Sequence, residues 1–286
     1  SFLFLLPAAL LIIFVFAGPL MISFCASLTD WTGIGFTWNF IGFQNYADIL
    51  KEQRIGQIAV NSMLYLFFLV FIQNGLAILI ALLLNKNFKG KDLFRSLLFM
   101  PTVVATVAVG FIWSMIFDPV NGALPILSDK LNLPLLGDFS WLGDSKYAIY
   151  LIILVSMWQW TGWNMIIYLA GLQGIPEDLY ESAALAGASS FDRFRYITLP
   201  LLRPAVTVNI VLSTISVFKF FDLPYILTKG GPGYATETIA ITIYSNSFMY
   251  NKFGYGSALS FILFTVVMAV TVVQLFILKK GEEDLV

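Results

Sequence analysis

Charged residues in this chain fall in blocks separated by long apolar runs. Uncharged stretches cover residues 2–29, 55–84, 96–117, 147–176 and 253–278. A sixth, 204–228, is interrupted only by Lys219 and Asp222. Each is long enough for one helix across a bilayer core, which takes about 20 apolar residues. Inside a bilayer the backbone must satisfy its own hydrogen bonds, so such runs form helices. The pattern predicts an all-α integral membrane fold, with six transmembrane helices at about 2–29, 55–84, 96–117, 147–173, 204–228 and 253–278. The whole chain, 1–286, reads as a single transmembrane domain without internal repeats.

Composition agrees. The chain is 59% hydrophobic and 12% charged, against about 25% charged for an ordinary soluble domain. Its net charge of −1 points to no nucleic-acid partner. It has no histidine and one cysteine, Cys25, so the commonest metal ligand and general base is missing and no internal disulfide can form. These counts argue against a metal site and a catalytic site. Apolar sequence starts at Phe2, and the first run is too long for a signal-peptide core. It reads as a true span, in a chain expected to lack a short N-terminal lead.

Lysine and arginine in the connecting segments set the orientation. Segments 85–95, 174–203 and 279–286 carry 9 in 49 residues, and segments 30–54, 118–146 and 229–252 carry 6 in 78. The first set is therefore expected in the cytoplasm together with both termini, and the protein in a cytoplasmic (inner) membrane. Trp31, Trp38 and Trp141 suit the opposite interfacial belt.

The polar segment 174–203 carries Glu177, Asp178, Glu181, Asp192, Arg193, Arg195 and Arg203. Pro176 and two acidic residues suit a helix start, and Gly187 a helix stop. Ser189-x-x-Asp192 reads as a capping box opening a second short helix that ends before Pro200. Ser182, Ala183, Ala184, Ala186 and Ala188 keep this helical pair thin. It fits insertion into a groove of a soluble partner; an amphipathic loop resting on the membrane surface is the competing reading.

Polar groups within a membrane are costly and mark pathways. Gln159, Trp160, Trp163 and Asn164 share one face of the fourth predicted helix, where indoles offer apolar surface and amides offer hydrogen bonds. Helix packing or an interfacial belt is the alternative. In the fifth, Ser216, Lys219 and Phe220 are candidates to face a cavity, while Lys219 and Asp222, three apart, are spaced to pair with each other. Asn61, Gln73, Asn74 and Asn209 read as interhelical hydrogen bonds.

Tyr180-Glu181-Ser182-Ala183-x-x-x-Gly187-Ala188, followed by Ile197-x-Leu199-Pro200, resembles the EAA loop of the membrane subunits of binding-protein-dependent ABC importers. Ser182 stands where alanine is usual and Ala186 where aspartate is usual. Ile41-Gly42-Phe43-x-Asn45-Tyr46, Phe94-Arg95 with Met100-Pro101, and Gly254-Tyr255-Gly256-x-Ala258-Leu259-Ser260 are similar to segments of the sugar-importer branch. Phe218-x-x-Phe221-Asp222, Leu227-Thr228-x-Gly230-Gly231-Pro232 and Thr236 resemble one of its two paired subunits, in maltose, glycerol-phosphate and multiple-sugar importers.

The resemblance implies a type I ABC importer permease fold with a coupling helix between the fourth and fifth spans. Glu177, Tyr180, Glu181, Ala183, Ala184, Gly187, Ala188, Arg193 and Pro200 would contact an ATPase. Gln159, Trp160, Trp163, Asn164, Ser216, Lys219, Phe220 and Asp222 are the candidate substrate pathway, for a sugar or oligosaccharide that Lys219 allows to be acidic or phosphorylated. Gly230, Gly231, Pro232 and Gly233 would meet an extracytoplasmic solute-binding protein. Implied partners are a second related permease, two ATPase subunits that bind ATP and magnesium, and membrane lipid. The glycine runs lack a following Gly-Lys-Ser/Thr, so no phosphate loop is present and no cofactor is expected in this chain. An ion-coupled secondary transporter is the alternative; Lys219 and Asp222 are its only candidate coupling groups within the spans.

Overall fold

The computed structural model describes residues 6–7, 10–35, 38–132 and 140–283. Part of the first expected span (residues 2–5, 8 and 9) and the last residues of the C-terminal tail (284–286) lie outside the described residues. In chain order the helices are α1 (Leu10–Ser27), α2 (Gln44–Lys51), α3 (Gln53–Leu84), α4 (Lys91–Val103), α5 (Thr106–Ile116), α6 (Ala123–Leu131) and α7 (Ala148–Gln173). They continue as α8 (Glu177–Leu185), α9 (Ser190–Arg193), α10 (Arg203–Phe218), α11 (Asp222–Thr228), α12 (Ile239–Tyr244) and α13 (Phe253–Glu283).

Among the described residues, four segments are long and apolar enough to cross a membrane: α1, α3, Arg203–Thr228 and Phe253–Lys280. The bent pair α4–α5 makes a fifth if counted as one span. The remaining expected span is α7, whose 26 residues carry no charge. At about 1.5 Å per residue it is long enough to cross, but Gln159, Asn164 and three tryptophans dilute its hydropathy. Its place in the fold explains that composition. Half of it, 13 residues, is buried against other helices, so its polar groups find protein partners and not lipid. The most apolar windows of α1 and α13, only 6% and 0% buried, lie on the outside, α13 running along α1 and α10.

Two expected spans are not continuous helices. The third, expected over 96–117, breaks between Val103 and Thr106, and its halves are bent by 93°. Pro101 removes one backbone donor and crowds the preceding turn; Val104 is extended, and Ala105, with ψ 130°, also leaves the helical region. The fifth, expected over 204–228, breaks at residues 219–221 between α10 and α11.

Without a hydrophobic force between helices in lipid, packing depends on small residues and polar contacts. Gly162 of α7 passes so close to α4 that a Cβ there would lie 2.1 Å from the Leu98 carbonyl oxygen. Gly171 lets α7 meet α10, where a Cβ would be 2.9 Å from the Ala205 methyl. Around these contacts Tyr65, Leu69, Val109, Ile152 and Val155 form one buried cluster, and Ala77, Ala81, Met165, Tyr168 and Leu202 another.

Candidate translocation cavity and docking loop

A cavity of about 350 Å³ opens where α3, α5, α7 and the break between α10 and α11 meet. Seven of the eight expected pathway residues line it: Trp160, Trp163, Asn164, Ser216, Lys219, Phe220 and Asp222. Leu69, Gln73, Thr106, Ser156, Leu212, Ser213, Val217 and Phe221 complete the wall. Trp160 and Trp163 are partly exposed and present indole surface.

Gln159 is not among the lining residues. It is fully buried, and its amide donates to the Val104 carbonyl at 3.1 Å and the Thr106 hydroxyl at 3.2 Å. The Thr102 hydroxyl in turn donates to the Gln159 carbonyl at 2.8 Å. Gln159 thus satisfies backbone that the break in the third span sets free. Its own Oε1 is buried without a partner among the described residues. The sequence places Gln159 beside Trp160 on one helix face, but only the position of the break separates their roles.

Lys219 and Asp222 also differ from the expected pairing. Lys219 caps the C-terminus of α10 and Asp222 opens α11. The break takes them off a common helix face, and they form no ion pair with each other. Both are exposed and both border the cavity. A cation and an anion are thereby offered to the cavity independently.

Polar side chains on α3, α7 and α10 tie the wall together. Asn74 donates to the Ser213 hydroxyl at 3.1 Å and accepts from Tyr168 at 2.7 Å. Asn209 donates to the Asn164 carbonyl at 3.2 Å.

The polar segment after α7 has a backbone tied by local hydrogen bonds and a largely exposed surface. α8 contains no buried residue, and Leu185 at its end is 91% exposed. Gly187 has φ +82°, and the amides of Gly187 and Ala188 bond back to the carbonyls of Ala184 at 3.0 Å and Ala183 at 2.9 Å. These two bonds form a Schellman stop. Next comes the expected capping box: Asp192 N–H donates to Ser189 Oγ at 3.2 Å, and Ser189 N–H to Asp192 Oδ2 at 3.0 Å. Hydrogen bonds from the Ser189 hydroxyl and backbone hold the Asp192 carboxyl below the usual carboxylate range. The Tyr180 hydroxyl meets Thr198 Oγ1 at 2.9 Å, fastening α8 to the second short helical run. Glu177, Glu181, Ala184 and Gly187 are exposed; Tyr180, Ala183, Ala188, Arg193 and Pro200 are half-buried.

Residues 73–280 match the family described as the binding-protein-dependent transport system inner membrane component. The chain belongs to this family. A probable ABC transporter permease protein of Pyrococcus horikoshii is 35% identical over 98% of this chain and 96% of its own length. The trehalose/maltose transport system permease protein of Thermococcus litoralis is 33% identical, covering 96% of this chain and 92% of that protein. The multiple sugar-binding transport system permease protein of Streptococcus mutans is 31% identical over 98% and 95%. The fold is that of type I ABC importer permeases. A crystal structure of a bacterial ABC transporter involved in import of the acidic polysaccharide alginate superposes with TM-score 0.85 at 20% identity, over 98% of this chain and 94% of that one.

The permease carries one further organised region, the Gly-Gly-Pro loop. Gly230 is buried, Gly231 and Pro232 are half-buried, and Gly233 is exposed at the tip. The loop ends in Glu237, a carboxylate only 1% exposed that is ion-paired with Arg54 of α3. Sequence reasoning misses both residues. In the sequence Arg54 is only one more loop charge, and the one available signal is a lone glutamate between a turn motif and an apolar helix.

Proposed function

We propose that this permease forms half of the translocation pathway of an ATP-driven importer for a sugar or oligosaccharide, neutral or acidic. The observation that carries the proposal is the largely exposed, doubly capped α8 loop on a chain that has no nucleotide-binding motif of its own. Holding the backbone rigid before docking lowers the entropy cost of binding. Exposed Leu185 and Phe191 among charges supply an apolar anchor with a polar rim. In this reading residues 174–203 face the cytoplasm and couple to a separate ATPase, which holds ATP and magnesium.

The whole chain acts as one permease unit beside a second, related permease, and closure of the ATPase pair drives alternating access of the shared cavity. A solute-binding protein delivers substrate on the opposite side, at residues 230–233. The indoles of Trp160 and Trp163 suit a pyranose face, and Asn164, Ser216, Lys219 and Asp222 supply donors and acceptors for hydroxyls. The names of the relatives in trehalose/maltose and multiple-sugar systems support a sugar over other small solutes.

Replacing Glu181 and Gly187 together tests this. The expected result is loss of the co-purifying ATPase and of substrate-stimulated ATP hydrolysis. Uptake that survived the double change and ran on an ion gradient would overturn the proposal.

A further inference from the structure

Among the described residues, only one ion pair is sequestered from solvent. Arg95–Asp92 lies on the surface, whereas Glu237 is 1% and Arg54 17% exposed. Arg54 Nε donates to Glu237 Oε2 at 2.7 Å, its Nη2 bonds Oε1, and the Thr242 hydroxyl adds a bond at 3.0 Å. Two other side chains of α3 reach the same loop. Asn61 donates to the carbonyls of Tyr234 at 2.9 Å and Glu237 at 3.0 Å. The Tyr65 hydroxyl donates to the Thr236 carbonyl at 3.1 Å.

This clamp is continuous with the cavity wall. The Thr238 hydroxyl donates to the Phe220 carbonyl at 2.7 Å, and the Phe220 ring packs edge-on against Tyr65 at 5.2 Å. Phe220, with Lys219 and Asp222 beside it, borders the cavity. At its other end the clamp reaches the surface. Tyr234 is 50% exposed, and its ring covers the Arg54 guanidinium at 4.4 Å. Its φ of +68° is unfavourable for a residue with a side chain.

We propose that Arg54–Glu237 is a latch holding residues 230–238 and the 219–222 break against α3 at one end of the cavity, and that Tyr234 is the handle by which a partner protein releases it. A buried ion pair adds little net stability over an apolar contact of the same size, so stability alone does not account for it. Its use is as a switch, because both charges are readily solvated once parted. Gripping Tyr234 removes the cover from Arg54 and pulls on the carbonyl held by Asn61. The handle part rests on the reading that a solute-binding protein docks on this loop; the latch part does not.

The test uses the complete transporter in liposomes without nucleotide, carrying Ser216→Cys as a cavity reporter and Cys25→Ser. A membrane-impermeant maleimide is added on the side that also labels a Gly233→Cys control. Without binding protein, Glu237→Gln is expected to raise the rate of reporter labelling about tenfold, the scale of a lost charged hydrogen bond. Arg54→Lys keeps the charge, loses the fork and is expected to give a smaller rise. If Glu237→Gln fails to assemble, Arg54→Lys decides. Labelling at the parent rate in the variant that assembles would overturn the latch. Tyr234→Ala is expected to abolish the acceleration that substrate-loaded binding protein gives the parent. Fast labelling of Glu237→Gln in a complex whose parent never responds to a binding protein would leave the latch standing and sink the docking reading.

Discussion

The side-chain amide of Gln159 donates to the Val104 carbonyl at 3.1 Å, across the break in the third membrane segment. One polar residue of the central helix therefore stabilises the point where its neighbour stops being helical. Replacing it with leucine should leave that carbonyl unsatisfied in an apolar setting, at a cost of about 1–3 kcal/mol. Gln159→Leu is expected to lower the thermal midpoint of the purified complex while hydrogen exchange over α8 stays unchanged. An unchanged midpoint would show that the break stands without Gln159.

Lys219 and Asp222 flank the second break without pairing to each other. Their removal should therefore cost the fold little, within about 0.5 kcal/mol for exposed sites. Lys219→Gln and Asp222→Asn are expected to keep the thermal midpoint but change the KM for uptake. A weakening confined to acidic substrates in Lys219→Gln would mark the substrate as an anion. A large loss of stability from either change would return both residues to a structural role.

Gly187 has open space around it: a Cβ added there would meet nothing within 4 Å, yet the residue's φ is +82°. Strain decides the outcome, not crowding. Gly187→Ala should cost about 1–2 kcal/mol locally. It is expected to raise hydrogen exchange at the end of α8 and reduce ATPase co-purification, with exchange in α7 unchanged. Gly187→Asn, which tolerates the left-handed region better, should recover part of both.

The capping box predicts a direction with pH. The Asp192 carboxyl titrates below its ordinary value because Ser189 bonds its charged form. The stability it adds is thus fully present above the unfolded pKa of about 4 and is lost as pH falls through the lowered folded value. Amide exchange over residues 190–198, corrected for its intrinsic pH dependence, should show constant protection from neutral pH to about 4 and declining protection below that. Ser189→Ala should remove the acid-dependent step. An identical profile in that variant would overturn the assignment.

The sequence alone determined that the protein spans a membrane, since runs such as 55–84 and 253–278 stay uncharged and apolar for longer than the about 20 residues a bilayer core takes. It also determined the local signals of the polar segment 174–203, because Gly187 and the Ser189–Asp192 pair act within a few residues of themselves. The cavity was partly legible for the same reason: polar and indole groups in an apolar helix stand out by type. Their roles were not, because they depend on contacts distant along the chain. Gln159 and Trp160 are adjacent in sequence, and only the fold of the third span turns one into a brace and leaves the other facing the cavity. Lys219 and Asp222 read as a helical pair until the break places them on different helices. Arg54 and Glu237 lie 183 positions apart. No local pattern joins them; packing of α3 against the Gly-Gly-Pro loop brings them together and buries the charge that makes the pair matter.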